Sequence, residues 1–168
     1  MTKLLPEKFS CSFTVRRLNE TDVADIYSLC LSNPEYYKHI NDVVSSEKIL
    51  RDLKRLPPGK TLSDKYFVGY FRNGTLVAIL DLITDWPDES VAHIGLFMVR
   101  RNFQNCGAGR TITTELCNYL KDKYSVLRLG YAKSNEESKK FWLNNGFAHT
   151  GEEKTAGSFI AVIMKKQL

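Results

Sequence analysis

The stretch that decides the fold is residues 94–110, which read IGLFMVRRNFQNCGAGR. An apolar run of strand length leads into a glycine-rich turn, and a helical pattern follows. In the turn, residues 104–110, small side chains let successive backbone N–H groups approach one ligand, and the positive end of the next helix adds to the field. The stretch predicts a strand, a turn and a helix. The turn either holds a pyrophosphate or is a tight connection without a ligand.

Two common phosphate-binding motifs do not match this turn. No Gly-Lys-Ser or Gly-Lys-Thr follows it, as a P-loop requires, and the glycines lack the Gly-x-Gly-x-x-Gly spacing of a dinucleotide fold. The turn also follows the third strand of a predicted antiparallel meander, whereas a dinucleotide site opens a parallel βαβ unit. Both motifs are therefore excluded.

Upstream of the turn, the sequence predicts this meander. Residues 66–71 and 75–84 are strand-like, and Asn73-Gly74 between them is a strong hairpin signal because both residues tolerate positive φ. A third strand is predicted at 91–99. The segments before the meander are, in chain order, a strand at 12–16, a helix from about Val23 to Asn33-Pro34, a loop with Tyr36 and Tyr37, and a helix at 46–56.

Downstream, helices and strands alternate. A helix at about 107–123 places Ile112, Leu116, Tyr119 and Leu120 on one face. The remaining predicted elements are a strand at 126–132, a helix that starts after Ser134-Asn135 and carries Phe141 and Trp142, and a terminal hairpin of residues 147–152 and 158–165.

Two motifs in this region resemble those of the GCN5-related N-acetyltransferase (GNAT) family. The run Ile94-Gly95-Leu96-Phe97-Met98-Val99, followed by Gln104-x-x-Gly107-x-Gly109, looks like the family's acetyl-CoA motif. Asn135-x-x-Ser138-x-x-Phe141-Trp142-x-x-x-Gly146-Phe147 resembles the helix that follows in the family and its Gly-Phe exit. The resemblance covers about residues 66–165. It predicts a single domain over residues 1–168 with an α+β fold in three α/β layers: a mixed, mainly antiparallel twisted sheet of about seven strands with helices on both faces.

The resemblance implies acetyl-CoA as co-substrate and assigns residues to it. The backbone of Phe97, Met98 and Val99 would pair with the pantetheine arm as an added strand does, and an N–H at or next to Val99 would polarise the thioester oxygen. Asn135 matches the position whose side chain bonds the pantetheine arm. Lys140 or Lys139 would reach the 3′-phosphate, unless both lie on a solvated helix face. The residues expected to hold the pyrophosphate are Gln104, Asn105, Cys106, Gly107, Ala108, Gly109 and Arg110. No metal is implied.

The sequence departs from the family where proton carriers usually lie. In the branch that acetylates protein termini, a tyrosine acid stands seven residues after the Asn135 position, and here that residue is Trp142. The glutamate base of that branch corresponds to Gly130. These departures argue against a ribosomal-protein N-terminal acetyltransferase of that type.

Asp81 is the candidate replacement base. It is a lone carboxylate in an apolar strand, where desolvation would raise its pKa toward neutrality. The alternative is a structural carboxylate satisfied by backbone groups or an arginine. His93 is a weaker catalytic candidate. It is assigned the same strand face as Gly95, Phe97 and Val99, and a lone strand histidine is more often structural.

Composition limits the function classes. The 168 residues are 43% hydrophobic with a net charge of +5, which suits a polyanionic ligand. No apolar segment has the length of a membrane span, the first residues lack a secretory pattern, and the four cysteines lack zinc or disulfide spacing, so a cytoplasmic protein with reduced thiols is expected.

Three functions remain open at this level. The first is an acetyl-CoA-dependent N-acetyltransferase that acts on a primary amine of a small molecule or of a protein. The second is a catalytically silent acetyl-CoA-binding or regulatory domain of the same fold, because the usual acid and base are absent. The third, a basic nucleic-acid-binding module, lacks any recognisable motif. We expect no nucleic-acid or membrane partner, and a homodimer is an open expectation.

Overall fold

A sheet of seven strands organises the computed structural model, which describes residues 3–168. The strands are β1 (Thr14–Arg17), β2 (Lys65–Arg72), β3 (Thr75–Thr84), β4 (Val91–Val99), β5 (Val126–Ala132), β6 (Ala148–Ala156) and β7 (Phe159–Gln167). The α-helices are α1 (Val23–Leu31), α2 (Pro34–His39), α3 (Ser46–Lys54), α4 (Ala108–Leu120) and α5 (Glu136–Asn144). The spatial strand order is β1-β2-β3-β4-β5-β7-β6.

The sheet is mainly antiparallel. Every neighbouring pair of strands is antiparallel except β4 and β5, which are parallel and are connected through α4. A parallel pair needs a crossover connection, and the helix after the glycine-rich turn supplies it. The predicted fold class, a mixed sheet with helices on both faces, is confirmed.

The two faces of the sheet carry separate cores. On the α4 face, the stripe of Ile112, Leu116 and Leu120 packs together with α5, which confirms the predicted helix face. On the α1 face, α1, α2 and α3 pack against residues such as Ile79 and Met98. Because β3 is covered on both sides, its sequence is a nearly continuous apolar run.

Two local predictions were wrong. The segment with Tyr36 and Tyr37 is the short helix α2, because Pro34 both ends α1 and starts a new helix at its first position, where a missing N–H costs nothing. The strands of the terminal hairpin are longer than predicted, and residues 157–158 form the turn between them.

β4 contains a β-bulge at Gly95. Asp81 pairs with Leu96 and Leu82 pairs with Ile94, so Gly95 is an extra residue without a partner on β3. An extra residue reverses which face the following side chains occupy. The assignment of His93 to the same face as Phe97 and Val99 was therefore wrong. Phe97 and Val99 contact the α4-face core, whereas His93 lies on the other face beside Arg128.

The parallel pair β4 and β5 splits just after its first residues. Pairing runs from Val91 with Val126 to Ile94 with Leu129 and ends there, while β5 continues along β7 as far as Ala132 with Ala161. Within residues 3–168, no strand pairs with the β5-facing edge of residues 95–99. The split opens a cleft whose floor begins at the bulge.

Candidate active site

The turn before α4 presents a row of unused backbone donors. Asn105 and Gly107 adopt left-handed conformations with φ of 57° and 86°. In the described part of the chain, no hydrogen bond of normal geometry joins the N–H groups of residues 105–110 to an acceptor. The first turn of α4 holds no acidic residue. Free donors at the positive end of a 13-residue helix form an anion site.

Gln104 holds this turn in place. Its side-chain Nε2 donates to the carbonyl oxygen of Val99 at 2.7 Å and to Asn33 Oδ1 at 2.6 Å. Asn33 Nδ2 also donates to the Val99 carbonyl, at 3.1 Å. The Gln104 side chain therefore positions the start of the turn, and its amide N–H groups are already committed.

The two glycines of the turn are needed for different reasons. A Cβ at Gly107 would meet nothing within 4 Å, so its left-handed φ is what requires glycine. A Cβ at Gly109 would lie 3.0 Å from the Phe141 ring and 3.6 Å from Val99 Cγ2. Gly109 thus lets the start of α4 pack closely against α5 and β4.

Asn135 and the lysines after it lie at the start of α5. Asn135 Oδ1 caps the helix by accepting from the Ser138 N–H at 2.9 Å, which leaves its side-chain NH2 toward the cleft as a donor. Lys139 pairs with Glu136 at 3.4 Å, whereas none of residues 3–168 forms an ion pair with the exposed Lys140. Of the two lysines, Lys140 is the more available for a phosphate.

A cavity of about 800 Å³ opens from the split and extends under the α1 face. One end is lined by Phe97, Asn135 and Trp142, beside the unpaired edge of β4. At the other end the lining comes from the middle of α2 and residues 40–42 after it, from α3 and its following prolines, and from the tip of the terminal hairpin. Asp81 and His93 both line this cavity, so the structure brings the two catalytic candidates together.

Asp81 lies over the bulge with one oxygen paired and one free. Its Oδ2 accepts from Lys65 Nζ at 2.6 Å, and Lys65 also donates to the Arg55 carbonyl at 3.0 Å. Asp81 Oδ1 is buried, and no donor within residues 3–168 reaches it. A Cβ at Gly95 would lie 3.2 Å from Oδ2, so the bulge glycine makes room for the carboxylate. Burial raises the pKa of Asp81, and Lys65 opposes this.

His93 is a poorer proton acceptor. Its Nδ1 lies 3.2 Å from Arg128 NH1, and its ring makes an edge contact with Trp86 at 4.7 Å between centroids. Burial, with Arg128 and Lys154 as further causes, lowers the pKa of His93 to about 3. The ring is therefore neutral at physiological pH and accepts a hydrogen bond from Arg128, which disfavours its assignment as the base.

Comparison with known proteins identifies the family. A sequence model of the acetyltransferase (GNAT) family matches residues 22–147. The chain belongs to the GNAT acetyltransferase family. No curated protein matches its sequence at a significant level.

Solved structures of acetyltransferases share the fold of this chain. An acetyltransferase from Thermus thermophilus superposes with a TM-score of 0.75 at 21% identity, covering 93% of this chain and 97% of that chain. A PaiA N-acetyltransferase from Thermoplasma acidophilum, in complex with coenzyme A, gives 0.66 at 21% identity, with 93% and 99% covered. The ribosomal-protein-S18-alanine N-acetyltransferase from Escherichia coli gives 0.61 at 17% identity, with 92% of each chain covered.

The family's usual acid position is part of the core in this GNAT protein. Trp142 is 5% exposed and packs against Phe97, Phe141 and Phe147 at centroid distances of 5.7, 4.8 and 5.0 Å. Trp142 is therefore a packing residue that also forms part of the cavity wall. At the position of the usual base, a Cβ on Gly130 would lie 3.2 Å from Ile163 Cδ1, so the β7 side chains fill that space.

The tyrosines that line the cavity are held by neighbours. Burial raises the pKa of Tyr36 and of Tyr37, whose rings meet edge to face at 5.2 Å. The Tyr131 hydroxyl lies 2.9 Å from His149 Nε2 on β6. None of the three hydroxyls therefore replaces the missing acid by an evident route.

Sequence reasoning missed three charged residues of this site. Lys65 is 2% exposed and pairs with Asp81, Arg128 contacts His93, and Asp52 on α3 lines the cavity with a pKa raised by burial. Arg128 stands inside the otherwise apolar strand β5, which was an available signal, whereas Lys65 is the first residue of β2 and gave none. Their partners depend on strand register and could not be read from the sequence.

Two features are absent from residues 3–168. There is no cluster of three His, Cys, Asp or Glu side chains suited to a metal ion. None of the helices in that range combines the length and apolar character needed to cross a membrane.

Proposed function

We propose that this GNAT protein transfers an acetyl group from acetyl-CoA to the primary amine of an acceptor, with Asp81 as the proton acceptor. The observation that carries the proposal is the split between β4 and β5. It connects an anion site at the start of α4 with a cavity that holds a buried, half-paired carboxylate.

The cofactor-binding residues fit the parts of acetyl-CoA. The free N–H groups of residues 105–110 suit its pyrophosphate, and Lys140 suits its 3′-phosphate. The unpaired edge of β4 at Phe97 and Met98 offers backbone groups to the amides of the pantetheine arm, and Asn135 faces them across the cleft. The Val99 carbonyl does not bind the pantetheine arm, because its oxygen already accepts hydrogen bonds from Gln104 and Asn33.

Asp81 is placed to receive a proton from the acceptor. When bound, acetyl-CoA supplies a thioester that an amine can attack directly. The amine must first lose a proton, and the Asp81 carboxylate lines the cavity with one oxygen that has no donor in the described chain. A carboxylate whose pKa is raised by burial is a better base near neutral pH than an exposed one. Lys65 keeps the other oxygen fixed, so the free oxygen is oriented.

The test is a panel of amines assayed for acetyl-CoA-dependent release of free CoA, with mass spectrometry of the product. Release of CoA together with a product that is 42 Da heavier, about the mass of an added acetyl group, supports the proposal. Thermal stabilisation by acetyl-CoA without CoA release across small-molecule and peptide amines would indicate a silent binding domain instead.

A further inference from the structure

Arg128 is a buried cation inside the acceptor end of the cavity. Its side chain is 10% exposed and lines the cavity on the same sheet face as Asp81. NH1 lies 3.2 Å from the neutral His93, and NH2 lies 3.4 Å from Glu152. A guanidinium has five N–H donors in a planar fork, and these two contacts leave the fork without a bidentate anion.

The charge around Arg128 is positive. Its one acidic contact, Glu152, is 45% exposed and also pairs with Lys154 at 3.2 Å, so two cations share one carboxylate. Lys154 lines the same cavity. Both cations contribute to the lowered pKa of His93, which is consistent with a positive potential at this end.

The opposite end of this cavity holds the carboxylates of Asp81 and Asp52, with cations beside them. Asp81 Oδ1 lacks a donor among residues 3–168, and Asp52 lies close enough to raise the pKa of Asp81. Lys65, Lys48 and Arg55 are near these carboxylates, but Lys65 bonds the other oxygen of Asp81 and lies behind it. The Asp81 carboxylate, with one oxygen unpaired, and the Arg128 guanidinium, without a bidentate anion, therefore line the same cavity.

The spacing of the two groups is that of a small molecule. Ile83 pairs with His93 and His93 with Arg128, so Asp81 lies two strands and two residues away from Arg128. At about 4.8 Å per strand and about 3.4 Å per residue, their Cα atoms are about 12 Å apart. Gly95 is the residue between them on β4 and adds no side chain. The Arg128 side chain reaches toward His93 and shortens the gap further.

We propose that the acceptor is a free amino acid, whose carboxylate binds Arg128 while its amino group lies at the Asp81 carboxylate. This inference rests on the proposed function and names its substrate class. The amino group loses one proton to Asp81 and attacks the acetyl carbon. A C–N bond forms and the C–S bond breaks. The departing CoA thiolate takes one of the two amine protons, and the other is released to solvent. The products are an N-acetylamino acid and CoA.

The experiment compares matched acceptors and matched variants. Each of the common L-amino acids is assayed beside the amine in which hydrogen replaces its α-carboxylate. The variants are Arg128→Gln, Arg128→Lys and the control Arg72→Gln, which removes the same charge from an exposed residue outside the cavity. A second readout is the thermal shift that the preferred amino acid causes in the presence of CoA, which needs no turnover.

We expect wild type to prefer at least one amino acid over its decarboxylated partner by roughly 10- to 100-fold in kcat/KM, the range for a charge-assisted pair. Arg128→Gln should lose that preference through a higher KM for the amino acid, and the amino acid should no longer raise its melting temperature. The thermal shift that acetyl-CoA causes in Arg128→Gln should stay at the wild-type level. Arg72→Gln should behave as the wild type in all of these measurements. Arg128→Lys should retain part of the preference for the amino acid. The comparison of amino acids with their decarboxylated partners on the wild-type protein tests the inference even where a variant fails to fold.

The contrary results are distinct. Equal or better turnover of the decarboxylated amines overturns the amino-acid inference and leaves the acetyltransferase proposal standing. Turnover of neither class, with acetyl-CoA binding intact, overturns the amino-acid inference, and the proposed function falls with it only if the peptide amines of the panel are not acetylated either.

Discussion

Asp81 is a buried carboxylate with one ionic partner and one free oxygen. Lys65 holds Oδ2, while Oδ1 is buried without a donor in the described chain. A purely structural ion pair would be expected to satisfy both oxygens, since an unpaired buried acceptor costs about 1–3 kcal/mol. Asp64 Oδ1 and the Tyr70 hydroxyl are also buried without a hydrogen-bond partner in the described chain, so it is the place of Asp81 at the cavity that points to a substrate role.

We predict that Asp81→Asn lowers kcat/KM by roughly 100-fold, because the amide cannot take the ammonium proton. Acetyl-CoA binding should persist, and the acidic limb of the pH–rate profile should disappear. In the wild type that limb lies above the ordinary aspartate pKa, because burial raises the pKa of Asp81. CoA release measured between pH 4 and pH 9 checks this.

A matched control is Asp22→Asn, which removes a buried carboxylate from an ion pair with Arg16 at 2.8 Å, away from the cavity. Both variants should lose stability, but only Asp81→Asn should lose specific activity. Normal turnover by folded Asp81→Asn would remove Asp81 from the mechanism.

His93 should make the fold sensitive to acid. Its pKa is about 3 in the folded protein, against 6.5 ordinarily, so between these values the unfolded chain binds a proton that the folded chain does not. Its contribution to stability is present above pH 6.5 and is lost as pH falls toward 3, by up to ~1.4 kcal/mol per pH unit. We predict that His93→Gln flattens this dependence in urea unfolding. An unchanged slope in the variant would contradict the burial argument.

At the scale of elements, the start of α4 depends on its contact with α5. Gly109 touches Phe141 and Val99 closely enough that any Cβ would press on the Phe141 ring. The free N–H groups of residues 105–110 keep their common direction only while this packing holds. The anion site is thus a product of a turn and of two packed helices.

We predict that Gly109→Val abolishes the thermal stabilisation by acetyl-CoA, because the branched side chain displaces the start of α4. Overpacking of this kind also costs about 1–3 kcal/mol of stability. Thr114→Val puts the same β-branched side chain on the exposed side of the same helix, with a methyl group in place of the hydroxyl, and should keep the full shift. Calorimetric titration of acetyl-CoA checks both variants, and wild-type affinity in Gly109→Val would place the pyrophosphate elsewhere.

At the scale of the whole molecule, the split joins both faces of the sheet. Its α4-face wall includes Phe97 and Trp142, and its α1-face wall includes α3 and Asp81. A ligand in the split contacts elements that otherwise meet only through the sheet. Binding should therefore stabilise elements on both faces of the sheet rather than a single loop.

We predict that acetyl-CoA at 100 times its Kd raises the free energy of unfolding by about 2.7 kcal/mol, because only the folded chain binds it. Amide hydrogen exchange should slow at residues 95–99 and 105–110, whose cleft-side donors have no protein partner in the described chain. Adenosine alone is the control, since it lacks the pyrophosphate and the pantetheine arm. Stabilisation without protection at these residues would contradict the binding mode.

The sequence by itself determined the elements and the cofactor turn. The hairpin at Asn73-Gly74, the stripe of α4 and the glycines of the turn are encoded by residues close together in the chain, so their patterns are readable. The same locality made the family recognisable. Trp142 was also readable, because an indole cannot donate the proton and is large enough to belong to the core.

Only the tertiary structure decided the chemistry of the acceptor cavity. The bulge at Gly95 reverses the face of His93, and strand register brings Lys65 to Asp81 and Arg128 to His93. The place of β7 between β5 and β6 likewise follows no sequence order. The physical reason is that side chains alternate with period two, so one unpaired residue or one step of register changes every contact across a sheet, and pairing between distant strands leaves no local signature.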